Sequence, residues 1–278
     1  MTGLFPLIIA SLLYGALGFH FWRSRWHPAP GQGTPRPAAA APWEKAAILP
    51  PLLVHGVTLY HSLFAGAGLN LGVGNAVSAI AWLTVLIYWL SSFYYNLEGM
   101  QALVLPGAAV CALFPAVFPE VAPVAYTELP AFKFHLSIAM LAYSLFTIAA
   151  VHAVLMMLVE RHLHSGTLPA ALTNLPPLMT MENLLFRLIT GGFVLLTLTL
   201  VSGAFFSEQI FGKPLPLNHK TIFAILSWGV YGALLGGRAF YGWRGRTAVR
   251  WSLSGFVILL LAYVGSKFVL EVILHRPG

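Results

Sequence analysis

Apolar segments of about 20 residues, separated by short polar stretches, follow one another along the chain. An α-helix needs about 20 consecutive apolar residues to cross the hydrocarbon core of a bilayer. The pattern therefore predicts an all-α fold, a polytopic transmembrane helix bundle of about eight spans. The predicted spans are Leu4–Trp22, Ala46–Phe64, Val73–Tyr94, Ala102–Phe118, Phe132–Val159, Leu184–Phe206, Thr221–Phe240 and Trp251–Leu274.

One long connection separates the first predicted helix from the others. Residues 23–45 are rich in Pro, Ala and Gly, a composition typical of a flexible linker. We therefore expect a single transmembrane domain over residues 1–278. In it, residues 1–45 form the first helix and a cytoplasmic linker, and residues 46–278 form the core.

The distribution of charge supports the membrane assignment and predicts an orientation. Only 8% of the residues are charged, whereas soluble domains carry about 25%. The basic residues stand in short runs between apolar segments, which excludes a basic groove for nucleic acid. Ten of the 15 lie at predicted inner ends of spans if the N-terminus is outside. An even number of spans then puts both termini outside.

Histidines are the informative polar residues, since the chain has ten of them and a single cysteine, Cys111. His61, His135, His219 and His275 fall at one predicted depth, the outer ends of four different spans. His55 lies about 9 Å deeper than His61 along the same helix. The sequence has no Cys-x-x-Cys-His motif, so the chain is not itself a covalent c-type cytochrome.

Neutral imidazole is a common ligand for iron, zinc and copper. Two histidines from different helices suffice to bind a haem iron axially, and no cysteine or Asp accompanies the outer histidines as a zinc site would favour. Histidines at helix ends are also ordinary interfacial residues, so spacing alone leaves both interpretations open. The aromatic residues that could line a porphyrin are Phe132, Phe134, Tyr143, Phe205, Phe206, Phe211, Trp228, Tyr263 and Phe268.

Several segments are similar to one known family. The chain resembles the integral membrane cytochrome c assembly family of the CcsA/CcmC type, and within it a YpjD-like inner-membrane subgroup, in residues 132–143, 175–182, 195–200, 202–203, 219–228, 242–246 and 261–266, and at Asn75, Ser78 and Trp82. The resemblance covers most of the chain from about His55 onward. It makes residues 46–278 a cytochrome c assembly-like core.

The resemblance implies a multi-pass protein of the bacterial inner membrane, so the outer side predicted for both termini from the basic residues is the periplasm. It implies non-covalently bound haem b, with His135 and His275 as the axial ligands of the iron. His219 is an alternative to His275, and His55 is similar in position to an inner, mid-membrane haem histidine. Implied partners are haem, other cytochrome c assembly proteins and apocytochrome c, with haem held or delivered rather than a small substrate turned over.

One departure from the family supports a different function. The loop 207–218 is short and contains no Trp, where the haem-delivering members carry a tryptophan-rich outer loop. Lys267 and Glu271 are four residues apart on the last predicted span and can pair within the membrane. These two features favour the alternative of a non-haem accessory or transport protein, linked to divalent cation handling. A structural subunit with interfacial histidines is a third interpretation.

Overall fold

The structure is a computed structural model that describes residues 4–26, 42–64, 69–95, 97, 99–119, 129–164, 177–211 and 218–265. The regular elements in these ranges are helices, which confirms the all-α prediction. They are α1 (Leu4–Phe21), α2 (Pro42–Ala46), α3 (Leu49–Leu63), α4 (Val73–Ser91), α5 (Gln101–Ala112), α6 (Phe114–Val117), α7 (Pro130–His164), α8 (Leu178–Phe211), α9 (His219–Tyr241) and α10 (Arg246–Leu260). Short π-helical turns, Trp22–Trp26 and Leu261–Gly265, continue α1 and α10.

Seven helical segments in the described ranges are long and apolar enough to cross a bilayer. The fourth predicted span corresponds to a shorter apolar segment, Gln101–Val117, which divides into α5 and α6. Pro115 lies in the first turn of α6, where a missing backbone N–H is tolerated, whereas in a helix interior it breaks the hydrogen-bond ladder. The polytopic bundle is thus confirmed, and the sidedness of the termini stays a prediction.

The long helix α7 joins two groups of helices. On one side α1 packs against α3 and α5, and α4 packs against α3, α5 and α7. On the other side α8 packs along α7, while α10 contacts α7 and α9. Consecutive helices alternate in direction, so His135, Ser202 and His219 lie at one end of the bundle, with Asn75. We call this the histidine end and the opposite one, with Glu182 and Arg244, the arginine end.

A polar seam connects α3 to α4 through three hydrogen bonds at successive levels. The Ser62 hydroxyl donates to Asn75 Oδ1 over 2.6 Å. One level deeper, His55 Nε2 lies 2.8 Å from Ser78 Oγ. Below that, the Trp82 indole N–H donates to the carbonyl oxygen of Leu52 over 2.8 Å. Because a bilayer offers no hydrogen-bond partners, these bonds fix the antiparallel register of the two helices.

Close aromatic packing joins α7, α9 and α10. The rings of Phe146 and Tyr231 stack with their centroids 4.0 Å apart. A Cβ on Gly192 would lie 2.9 Å from the Phe146 ring, and one on Gly255 would lie 2.9 Å from the Tyr231 ring. These glycines therefore let α8 and α10 approach the stacked pair, and the Tyr143 hydroxyl adds a bond to Leu259 O over 2.9 Å.

The arginine end is organised around a buried carboxylate, Glu182, near the start of α8. Its Oε1 lies 3.4 Å from Arg244 Nε and 3.8 Å from Arg238 Nη1. Its Oε2 accepts the backbone N–H of Gly245 over 3.0 Å. Arg238 also donates to Asn183 Oδ1 over 2.9 Å and lies over the Phe186 ring. One acidic side chain thus connects the start of α8 to the end of α9 and the start of α10.

Replacing Gly74 by Ala should destabilise the bundle by about 1–3 kcal/mol, the usual cost of overpacking. A Cβ there would lie 2.7 Å from the Phe114 carbonyl oxygen and 2.8 Å from that of Phe118, and backbone atoms cannot rotate away. Gly107→Ala is the matched control, because no atom lies within 4 Å of its Cβ position and helix propensity favours Ala. Thermal unfolding in detergent measures both; equal melting temperatures would contradict the packing of α4 against α6.

Glu182→Gln should cost about 1–3 kcal/mol of stability, since it removes the charge shared by two arginines that are partly exposed. Glu160→Gln is the control, because its partner Arg246 is largely exposed and 3.9 Å away, a geometry worth under about 1 kcal/mol. Chemical unfolding followed by near-ultraviolet circular dichroism compares the two variants. A smaller loss in Glu182→Gln than in Glu160→Gln would show that Glu182 does not organise this end.

Candidate functional site

His135 lies in the second turn of α7 at the histidine end and is half-buried against α8. Its Nδ1 is 2.9 Å from the Ser202 hydroxyl oxygen. That hydroxyl is also placed to donate to the Thr199 carbonyl oxygen, 3.2 Å away. An imidazole whose Nδ1–H donates to Ser202 Oγ, with the Ser202 proton directed to Thr199, carries its lone pair on Nε2.

Gly203 makes room for this imidazole on α8. A Cβ at position 203 would lie 3.1 Å from His135 Cε1, tighter than ordinary van der Waals contact. The absence of a side chain at 203 and the hydroxyl at 202 therefore hold the ring against the backbone of α8. Metal-ligating histidines typically have one nitrogen held by a second group, and this arrangement meets that requirement.

Ser202 was not identified from the sequence as the partner of His135. The two residues are 67 positions apart in the chain, and their contact depends on the register of α7 against α8. The available signal was the pair Ser202-Gly203 itself, a polar and a small residue in a strongly apolar helix. Ser78, like Ser202, belongs to the family-like residues but was not identified as the partner of a histidine, here His55.

The other predicted outer ligands have different surroundings. His219 is exposed at the first position of α9, next to Asn218, whose side chain accepts the Thr221 N–H over 2.9 Å and caps the helix. The histidine end of the bundle therefore contains both His135 and His219. His275 lies outside the described residues, as do Lys267 and Glu271, so the pairing of His135 with His275 stays a prediction.

His55 is fully buried between α1, α3 and α4. Its ring meets the ring of Tyr14 edge-on, with centroids 5.7 Å apart, and its Nε2 bonds to Ser78. In the described part of the chain, His55 Nδ1 and the Tyr14 hydroxyl have no hydrogen-bond partner. Coordination of an iron through Nε2 would require the bond to Ser78 to break, and the ligand role of His55 stays a prediction.

His152 was not singled out as a site residue, yet it is one of the most buried histidines described. Its Nε2 lies 2.8 Å from the carbonyl oxygen of Met181, which directs the Nε2 proton to that oxygen. The bond connects the second half of α7 to the first turn of α8, next to Glu182. His152 thus acts with Glu182 in joining helices at the arginine end.

Several aromatic residues expected to line a porphyrin have other contacts. Trp228 stacks on Phe193 and donates its indole N–H to Thr197 Oγ1 over 2.9 Å. Phe134 and Phe205 are exposed at the histidine end, and Phe268 lies outside the described residues. Within the described ranges, no three His, Cys, Asp or Glu side chains group closely enough to hold a metal ion.

Comparison with known proteins identifies the family. The family model described as "Cytochrome C assembly protein" matches residues 47–274. The inner membrane protein YpjD of Escherichia coli K12 is 36% identical over 144 residues, which cover 52% of this chain and 54% of YpjD. The chain thus matches about half the length of that relative.

Two further relatives extend this similarity. A 28.8 kDa protein of a nifR3-like 5′ region in Azospirillum brasilense is 31% identical over 209 residues, 72% of this chain and 77% of that protein. A cytochrome c biogenesis protein CcsA of Prochlorococcus marinus is 37% identical over 98 residues, 35% of this chain and 31% of CcsA. Together with the seven apolar helices, these relatives indicate a multi-pass protein of the bacterial inner membrane. The chain belongs to the cytochrome c assembly protein family.

Proposed function

We propose that this protein takes part in the assembly of c-type cytochromes by holding haem at the histidine end of its bundle. The observation that carries the proposal is the His135 imidazole, fixed by Ser202 and seated against Gly203. The name of its relative CcsA, a cytochrome c biogenesis protein, supports the same process. Haem is cargo here, and its proposed partners are apocytochrome c and other assembly proteins.

Some residues of the site would coordinate the iron, and others would position the ligand. His135 would coordinate the iron through Nε2, since Nδ1 is engaged by Ser202. His275 is the proposed second axial ligand, and His219 at the start of α9 is the alternative. When bound, haem b supplies an iron that accepts two axial imidazoles. Ser202 and Gly203 position the His135 ring without touching the iron.

His55 is the candidate ligand for a second, inner haem position. As an inner ligand it would lie in the α1–α3–α4 group, away from the interface of α7 and α8 that holds His135. Its Nε2 is bonded to Ser78, so ligation through that nitrogen would break the polar seam, whereas Nδ1 has no hydrogen-bond partner in the described part of the chain. We assign the stable haem site to His135 and keep His55 as a candidate for a transient inner position.

Haem titration of the purified protein tests the ligands. The full chain in detergent should develop a Soret band with added haemin. His135→Ala and His275→Ala should each weaken binding at least tenfold, because one of two axial bonds is lost. His219→Ala should leave binding unchanged.

His162→Ala is the control, since that imidazole bonds to Leu158 of its own helix near the arginine end. Loss of binding in His219→Ala, with no loss in His275→Ala, would show that His219 and not His275 is the second axial ligand. No Soret band in any preparation, together with normal c-type cytochromes and altered metal tolerance in a deletion strain, would favour the alternative of a non-haem, cation-linked protein.

Ser202→Ala should weaken haem binding by about 10–100-fold, the usual effect of removing a group that orients a metal-ligating histidine. Thr190→Val is the matched control on α8, because that hydroxyl bonds only to the Phe186 carbonyl oxygen of its own helix among the bonds described. Dissociation constants from the same haem titration compare the two. Equal affinities of Ser202→Ala and the parent protein would show that Ser202 does not position His135.

A further inference from the structure

We propose that the turn between α9 and α10, with the first turn of α10, binds the headgroup of an anionic phospholipid. We call this segment, Gly242–Arg250, the basic turn. The inference is independent of haem, because the basic turn lies at the arginine end and the proposed haem site lies at the histidine end. The observations that carry it are the fixed backbone of the segment, its excess of positive charge and the exposed aromatic residues directly before it.

The backbone of the basic turn is held in one conformation. Gly242 ends α9 in the left-handed region at φ 66°, and its N–H donates to Arg238 O over 3.2 Å. Gly245 has φ 56° and donates its N–H to the buried Glu182 carboxylate. A β-carbon at either position would strain that geometry. The turn therefore presents its side chains from a fixed frame.

The indole of Trp243 fills the space inside the turn. A Cβ on Gly237 would overlap the Trp243 ring, so only glycine at 237 lets the indole lie against α9. The same ring contacts Trp251 with centroids 5.0 Å apart. Arg244, directly after Trp243, is exposed.

The exposed face of the basic turn carries positive charge in excess. The side chain of Arg244 is 60% exposed and that of Arg246 is 72% exposed. Arg250 follows Arg246 by one helical turn and is exposed, and within the described ranges no acidic side chain pairs with it. Buried Glu182 lies 3.4 Å from Arg244 and also pairs with Arg238, whereas Glu160 lies 3.9 Å from Arg246. Two acids therefore stand against four arginines, the fourth being Arg250. The outward potential is therefore positive.

Two exposed aromatic residues beside the basic turn indicate its depth in the membrane and the chemistry of its partner. Phe240 and Tyr241, directly before the turn, are 84% and 81% exposed. Aromatic residues so exposed at the end of a spanning helix lie at the level of lipid headgroups. A molecule that meets arginines and exposed aromatic rings at that depth has an anionic head and an apolar tail. An anionic phospholipid combines both.

Lipid binding to the full chain distinguishes a specific headgroup site from general attraction of anionic lipid to a basic membrane face. The protein is placed in nanodiscs of phosphatidylcholine with and without phosphatidylglycerol, and bound lipid is counted by native mass spectrometry after release into detergent. We expect retained phosphatidylglycerol in the parent protein. Each arginine near an anionic surface contributes about fivefold in affinity, so Arg246→Gln/Arg250→Gln should bind about 25-fold more weakly.

Arg250→Gln and Arg187→Gln form a matched pair for this experiment. Each removes one exposed arginine from the arginine end, and neither arginine has an acidic partner in the described part of the chain. The proposal requires about a fivefold loss in Arg250→Gln and less than about a twofold loss in Arg187→Gln. Helical circular dichroism verifies that all variants are folded.

Three outcomes would overturn the proposal. Equal losses in Arg250→Gln and Arg187→Gln would show diffuse attraction to a basic face, with no built site. Equal retention of phosphatidylcholine and phosphatidylglycerol would show that charge does not select the lipid. Competition by inorganic phosphate alone, to the same extent as by phosphatidylglycerol, would identify a free-anion site in its place.

Discussion

Polar side chains inside a bilayer have no water to bind, so each must find its partner in the protein. In this bundle three buried or half-buried histidines each have their hydrogen-bond partner on another helix. His55 bonds to Ser78 of α4, His135 to Ser202 of α8, and His152 to a carbonyl oxygen of α8. Each bond has a length of 2.8 or 2.9 Å. These three contacts fix the relative register of the helices on which the architecture depends.

The register set by these bonds has consequences at both ends of α7. At the histidine end it brings Gly203 against the His135 ring, so the imidazole has both a hydrogen-bond partner and a flat surface. At the arginine end the His152 bond holds against α7 the first turn of α8, whose next residue, Glu182, pairs with Arg238 and Arg244. A single helix pair, α7 and α8, therefore aligns the proposed haem ligand and the charged junction at opposite ends. A shift of one residue would misplace both.

The sequence predicts the helices well because the bilayer imposes length and apolarity on each span separately. Hydropathy located the eight apolar helical segments of the described ranges, including the short one that Pro115 divides. It also put His135 at a helix end and His55 deeper, since depth follows from position along one helix. Residues 241–250 lie between two predicted spans, and the structure has its turn there at residues 242–245.

Contacts between helices could not be predicted in this way. Ser202 is a weakly polar residue whose importance emerges only when α7 and α8 are aligned, and no local pattern encodes that alignment. Glu182 formed part of a family-like segment, but its bonds to Arg238, Arg244 and Gly245 join three helices. The family resemblance supplied the functional hypothesis for His135, and the geometry added the hydroxyl and the glycine that position it.

The central claim is that Ser202 acts on haem through His135. A double-mutant cycle of haem affinity measures this directly, with the parent protein, Ser202→Ala, His135→Gly and the double variant. We expect Ser202→Ala to weaken haem binding in the parent and to have no effect once His135 is replaced by Gly. The same loss in both backgrounds would contradict the claim, because Ser202 would then influence haem without the imidazole it holds.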